Sequence, residues 1–248
     1  MRYILGRDAE VERRRLELLQ RHHDPDSIAA LERTGVGAGW RCLDVGAGSG
    51  SISRWLLSRG ADVLATDLDI GGLEGIDARV HDITGDEPLP GPFDLVHTRL
   101  VLLHLPERAA VARRLAGLAR PGGWVVAGDI DFTPVAMEAP TAAWEHTWAA
   151  WLAATRAAGW DLACGPRLPE LLAQAGVEDV QHTATGEPCP GGAVVVEILS
   201  LAFERLRARL VAHGASDEDV SAARQALEDP AQRFVPPTTW TAWGVTMS

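Results

Sequence analysis

The sequence predicts an α/β fold built on one mostly parallel sheet, and three observations predict it. Leu43-Asp44-Val45-Gly46-Ala47-Gly48-Ser49-Gly50-Ser51 reads as a short apolar strand ending in an acid, then a glycine-rich turn. A helical pattern follows at once at Ile52, Trp55 and Leu56. A second strand, Ala61 to Asp67, ends in another acid about 20 residues downstream. Strand and helix patterns then alternate along the chain, as a single α/β sheet requires.

Each element has a local reason. Met1 to Gly6 is short and partly apolar, and Asp8 can cap a helix running to about Arg21, with Glu10 and Glu12 in its first turn. Asp24-Pro25 starts a second helix, proline being favoured at the first helical position, and Thr34-Gly35 ends it. Ser51 to Arg59 is the helix after the glycine turn, stopped by Gly60. A short third strand covers about Ala78 to Ile83, and Phe93-Asp94-Leu95-Val96-His97 is the fourth. Pro106 to Ala119 is a helix with Val111, Leu115 and Leu118 on one face. Arg120-Pro121-Gly122-Gly123 is a turn, and Trp124 to Ile130 is a strand apolar enough to be buried on both faces. Helices follow over Thr141–Ala158 and Arg167–Ala175, the latter stopped by Gly176. Val177 to Gly186 is the sixth strand, and Val235 to Thr246, with Trp240 and Trp243, is the last. Between them, Ala193–His213 and Ser216–Glu228 read as an inserted helical pair. The expected organisation is one domain over residues 1–248. It comprises N-terminal helices (1–36), a ligand-binding core (40–136), cap helices (138–176) and a C-terminal sheet part (177–248) with a helical insertion over about 193–228.

Composition narrows the function. The chain has 248 residues, enough for one sizeable core or a core with a cap, and its 46% apolar content fits a globular protein. The net charge of -11 speaks against nucleic acid and against anionic membranes. Every basic side chain is arginine, which removes lysine as a base or Schiff-base former. Cys42, Cys164 and Cys189 are odd in number and far apart, suggesting neither a disulfide framework nor a zinc site. No signal-peptide pattern and no long apolar run is seen, so a cytoplasmic protein is expected.

The glycine spacing selects the ligand. A strand, a glycine turn and a helix N-terminus cradle a nucleotide-like molecule, and dinucleotide enzymes use G-x-G-x-x-G. Here the glycines fall at 46, 48 and 50, and Asp44 stands two residues before the first. This G-x-G-x-G pattern resembles motif I of the class I S-adenosylmethionine-dependent methyltransferases. Asp82-Ile83 after the third strand, Phe93-Asp94-Leu95-Val96, the segment Leu102-Leu103-His104-Leu105-Pro106 and the Pro-Gly-Gly turn match further motifs in order over about residues 40 to 132. The Tyr-x-Leu-Gly start and the C-terminal layout resemble the small-molecule enzymes of actinobacterial metabolism. The resemblance implies a Rossmann-like, seven-stranded, mostly parallel sheet with N-terminal helices and a helical cap. It implies S-adenosylmethionine as cofactor and S-adenosylhomocysteine as product. The glycine loop (Gly46, Ala47, Gly48, Gly50, with Asp44) would pass under the methionine part, and Asp67, followed by Leu68, would hold the ribose hydroxyls. Asp82 and Ile83 would flank the adenine. Thr98 and Arg99 would lie at the end of the fourth strand, Arg99 either pairing with the cofactor carboxylate or starting a helix, and Tyr3 would close the pocket or simply pack.

The implied reaction is methyl transfer to an oxygen, nitrogen or carbon of a small metabolite. No metal is required, and Asp94, Asp129 and Asp131 are the only carboxylates placed for one. His104 and Asp129, beyond the carboxyl ends of strands four and five, are the candidate catalytic groups; each could equally be a half-buried structural residue. His97 is expected to point into the layer behind the sheet. Trp144, Trp148 and Trp151, at i, i+4 and i+7, form one stripe that either packs a cap helix or walls an aromatic or cationic acceptor. Two rival readings stand beside it: a non-methylating S-adenosylmethionine-binding cyclase or binding module on the same fold, and, less favoured by the glycines, an NAD-dependent oxidoreductase with a dehydrogenase-type nucleotide fold. Acceptor identity and oligomeric state are left open.

Overall fold

A computed structural model describes residues 9–247, with side chains from Arg13 onward. Tyr3 and Asp8 lie outside the described residues. In chain order the elements are α1 (Ala9–Thr34), β1 (Arg41–Val45), α2 (Ser51–Ser58), β2 (Asp62–Asp67), β3 (Asp77–Val80) and β4 (Phe93–Arg99). A 3-10 turn (Leu102–His104), α3 (Arg108–Leu118), β5 (Ala119–Asp131), β6 (Ala136–Met137) and α4 (Ala142–Ala157) follow. The chain ends with α5 (Cys164–Gln174), β7 (Val177–Thr185), β8 (Cys189–Pro190), α6 (Val194–Ala212), α7 (Asp217–Glu228), β9 (Arg233–Val235) and β10 (Thr238–Thr246).

The chain folds as two compact units. The sheet unit takes His23–Asp131, Ala163–Thr185 and the chain from Thr239. Its seven strands run in the order β3-β2-β1-β4-β5-β10-β7. The pairs β3/β2, β2/β1, β1/β4 and β4/β5 are parallel, and β10/β7 is antiparallel. This is the expected seven-stranded, mostly parallel α/β sheet. Strand order reverses between β1 and β4, so the crevice at their carboxyl ends is where such a sheet receives a ligand. The central strands are buried on both faces, which is why they read as near-continuous apolar runs. On one face Ala30 and Leu31 of α1 and Ile52 and Leu56 of α2 pack on Cys42, Leu95, Val126 and Trp243. Burying each large aliphatic side chain here contributes about 1.5–3 kcal/mol. Cys42 is fully buried, and its thiol is pushed up to about 12 by desolvation, with the nearby Asp94, Asp44 and Asp62 charges adding.

The second unit is mostly helical and takes residues 132–162 and 186–238 with α1 as far as His22. Residues Trp144, Trp151, Phe203, Leu210, Val220 and Leu227 form its core. Thr141 caps α4 by accepting from Trp144 N–H, and Ser216 and Asp219 form a reciprocal capping box on α7. A small sheet, β6-β9-β8, closes the unit. Its strands have two or three residues each, too short to leave a readable period.

Several element boundaries differ from expectation. The two N-terminal helices are one, α1, with Pro25 inside it. Leu18, His23, Ser27, Leu31 and Thr34 are all buried, so one continuous face passes the proline. That burial outweighs the roughly 3 kcal/mol that an interior proline costs. The third strand is earlier and shorter, because pairing ends at Val80 and the chain turns at Asp82–Gly85. The Pro-Gly-Gly segment is a bulge at the start of β5, not a separate turn: Phe93 pairs with Ala119 and Leu95 with Trp124. The last strand breaks into β9 and β10 at Pro236-Pro237, which lack the N–H donors a ladder needs. Among the described residues, no helix is long and apolar enough to cross a membrane.

Candidate active site

The glycine loop leaves β1 at the reversal point of the sheet. Gly46, Gly48 and Gly50 have φ of 71°, 58° and 80°, the left-handed region that side chains rarely adopt. Gly46 N–H and Ala47 N–H both donate to the Thr66 carbonyl, at 2.8 and 3.1 Å, tying the loop to β2. A Cβ on Gly46 would overlap Val101 Cγ2, so the position has no room for a side chain. Val101 reaches the loop because Leu100, at the end of β4, is itself left-handed (φ 57°). A bulky residue in that region is strained, and such strain collects at functional sites.

Asp67 ends β2 beside this loop. Its Oδ2 accepts from Gly48 N–H at 2.8 Å and its Oδ1 from Asp69 N–H at 3.2 Å. An ionised carboxylate has about four acceptor sites, so two remain for neighbouring hydroxyls. Leu68, next in the chain after Asp67, is an apolar side chain left 49% exposed. Asp82 is exposed, and its Oδ1 accepts from the Thr84 hydroxyl (2.6 Å) and Thr84 N–H (2.9 Å). Those two bonds hold its carboxyl below the ordinary range. Ile83 is buried, and its carbonyl accepts from Arg114. Arg54, one turn into α2, donates to the carbonyls of Ser49 and Gly72, locking the glycine loop to the loop after β2.

Four expected site residues have other partners. Asp44 is 2% exposed and turns away from the loop: Ser53 Oγ donates to its Oδ2 at 2.5 Å, and His97 Nδ1 lies 2.8 Å from its Oδ1. Burial pushes the Asp44 carboxyl up, but the bonds from His97 and Ser53 and the charges of His97 and Arg99 outweigh it and hold it low. His97 lies behind the sheet as expected. Its Nδ1 faces a carboxylate and so carries the proton there, while Nε2 is buried with no partner among the described residues. Thr98 is buried and donates to the Val45 carbonyl at 3.0 Å, cross-linking β4 to β1. Arg99 ends β4 and starts no helix; it pairs with Asp24 of α1 at 2.9 Å. Asp129 is 1% exposed, with Oδ2 accepting from Leu103 N–H at 2.9 Å and Oδ1 from Ile130 N–H at 3.0 Å. It therefore fixes the turn that carries His104. His104 ends that turn, half-buried, with its N–H bonded to the Val101 carbonyl.

Sequence reasoning missed Asp24, Ser27, Ser53 and Arg54. The one available signal was Arg54, four residues after Gly50 on the helix that the glycine turn opens. Asp94 is a strand-start residue, accepting from Arg41 N–H (2.8 Å) and Arg120 Nε (2.6 Å).

Sheet order, glycine loop and the acid of β2 together define a class of protein. A family model described as a methyltransferase domain matches residues 3–182, and the chain belongs to the class I S-adenosylmethionine-dependent methyltransferases. Among its relatives, Methyltransferase str2 of Strobilurus tenacellus is 37% identical over 139 residues, covering 52% of this chain and 50% of that protein. A ubiquinone biosynthesis O-methyltransferase of Bordetella bronchiseptica is 35% identical over 115 residues, covering 42% of this chain and 48% of that one. The alignments thus span about half the length of these curated relatives. Among solved structures, a Haemonchus contortus phosphoethanolamine N-methyltransferase shares the fold, with a TM-score of 0.57 at 20% identity over 90% of this chain and 52% of that one. It was crystallised with phosphomonomethylethanolamine and S-adenosylhomocysteine.

Proposed function

We propose that the chain transfers the methyl group of S-adenosylmethionine to an oxygen, nitrogen or carbon of a small metabolite. The observation that carries this is the clasp between Gly48 N–H and the Asp67 carboxylate at the point where strand order reverses. The residues fit the cofactor. The left-handed glycines at 46, 48 and 50 shape the loop after β1, Asp67 keeps acceptor sites for the ribose, and Asp82 and Ile83 are the proposed neighbours of the adenine. When bound, S-adenosylmethionine supplies a methyl already activated on a sulfonium, with a neutral leaving group.

The chain's own work is then to orient the acceptor, exclude water and, where the acceptor carries one, remove a proton. Orientation alone is worth roughly 7–11 kcal/mol of a barrier. A positioned base adds about 10²–10⁴-fold, and His104 is the proposed base, held in place by Asp129 through Leu103 N–H. An aromatic or cationic acceptor is supported by the parallel indoles of α4. Trp144 and Trp148 stack at 5.6 Å and Trp148 and Trp151 at 4.7 Å. Trp144 and Trp151 are buried in the core of the helical unit and cover the faces of Trp148, so Trp148, half-buried, can offer only its exposed edge. A cytoplasmic location is part of the same proposal, with Cys42, Cys164 and Cys189 as free thiols among the described residues.

Calorimetry with S-adenosylhomocysteine and with NAD tests the cofactor. Binding of the first alone supports the reading, and binding of NAD alone overturns it. Mass spectrometry of S-adenosylhomocysteine release across phenols, amines and activated carbon acids then separates methyl transfer from cofactor binding without transfer.

A further inference from the structure

The polar contacts on the α1 side of the sheet assign a positioning role that the fold alone does not supply. Arg99 leaves the end of β4 with its aliphatic stem over Gly128, where an added Cβ would lie 3.3 Å from Arg99 Cγ. Its guanidinium meets α1: Nη1 lies 2.9 Å from Asp24 Oδ1 and 3.1 Å from Ser27 Oγ, one turn further on. The same Asp24 oxygen accepts from Ser51 Oγ at 2.9 Å, and Arg99 Nη2 lies 3.5 Å from that hydroxyl. Ser51 is the first residue of α2 and follows Gly50 directly. Both charged side chains are largely covered, at 13% and 24% exposure, so water screens the pair less than a surface ion pair.

We propose that Asp24, Arg99 and Ser51 form a latch that seats α1 on the first turn of α2 and so fixes the glycine loop for its ligand. Asp24 and Arg99 are positioning residues in this assignment, and Arg99 does not pair with the ligand's carboxylate. One acceptor atom, Asp24 Oδ1, joins the arginine at the end of β4 to the hydroxyl that opens α2. The loop between β1 and α2 is then held from both sides, by Asp67 and Arg54 on the β2 side and by Asp24 on the α1 side. The inference rests on the reading of this loop as the cofactor site.

Two ligands separate a latch from a direct contact. S-adenosylhomocysteine carries a carboxylate, and 5′-methylthioadenosine shares its adenosyl and sulfur parts without one. Calorimetry on Asp24→Asn, Arg99→Gln and Arg99→Lys is expected to show both ligands weakened together, by about fivefold or more in Asp24→Asn and Arg99→Gln. Arg99→Lys, which keeps the ion pair, should recover part of the loss. Amide exchange should quicken at residues 47–52 and stay unchanged in β5, which a general loss of stability would not produce. If Asp24→Asn instead tightens S-adenosylhomocysteine and leaves methylthioadenosine unchanged, Arg99 contacts the ligand and the latch is wrong. Unchanged affinity for both ligands also overturns it. Should Asp24→Asn fail to fold, Ser51→Ala removes one bond of the same triangle and is expected to shift both affinities in the same direction. A wild-type chain that binds neither ligand refutes the cofactor reading, and the exchange at residues 47–52 then decides the latch alone.

Discussion

At the scale of single residues, the site depends on what is missing as much as on what is present. Gly46 sits under Val101 with no space for a methyl group. Gly46→Ala is expected to lower S-adenosylhomocysteine affinity at least tenfold, about 1.4 kcal/mol. It should also cost about 1–3 kcal/mol of stability, measurable by urea unfolding, from the left-handed φ and the clash. Asp67→Ala behaves differently. Asp67 is half-buried and makes two backbone contacts, so the variant should fold while losing tenfold or more in affinity by calorimetry. Wild-type affinity in Asp67→Ala would dismantle the site assignment. These two residues were readable from sequence because their roles are local: glycine for a positive φ, an acid at a strand end. Asp44 looked equivalent on the page, an acid at the end of β1. Its alternation in the strand aims it behind the sheet at His97, 53 positions away, and no local rule shows that.

Among the elements, α4 shows how a helical stripe divides between buried and half-exposed positions. Trp144, Trp148 and Trp151 are nearly parallel, with interplanar angles of 5° and 7°, yet two are in the core and one is half-exposed. Trp151→Ala is expected to cost about 3–5 kcal/mol by denaturant unfolding. Trp148→Ala should cost much less and should instead change which acceptors are methylated in a product screen; equal losses of stability would make the stripe pure packing. The helix α1 makes the opposite point. Asp24-Pro25 has the signature of a helix start, and propensity alone would break the chain there. The buried face from Leu18 to Leu31 carries the helix through, and Asp24 acts on α2 instead of capping its own helix. Element interiors were legible because their periods are long; ends at β3, β5 and β10 were set by pairing partners that lie elsewhere in the sequence.

On the scale of the whole molecule, the acidic chain keeps carboxylates where the fold needs them ionised. Asp44 and Asp94 are both held below the ordinary carboxylate value of 3.8 in the folded state. For Asp94, burial pushes the carboxyl up, while the bonds from Arg120 and Arg41 more than offset it. A carboxylate with a depressed folded pKa contributes stability that is fully present above its unfolded value. That contribution is lost as pH falls through the folded one. Thermal melts should therefore be flat in this respect above about pH 5 and fall steeply below about pH 4. Asp44→Asn is expected to lower stability at neutral pH and flatten the acid limb; an unchanged limb would remove Asp44 from the account.

The sequence by itself determined the sheet, the glycine loop and the acid beside it, because each is written in neighbouring residues: apolar runs for buried strands, glycines at 46, 48 and 50, and Asp67 at a strand terminus. Tertiary structure alone decided the partners of Asp44, Thr98, Arg99 and Asp129, the continuity of α1 through Pro25, and which indole of α4 stays only half-buried. The physical reason is distance along the chain. A backbone conformation is selected by a few adjacent side chains, whereas a buried polar group takes whichever partner the packing brings within 3 Å or so, and packing is a property of the folded whole.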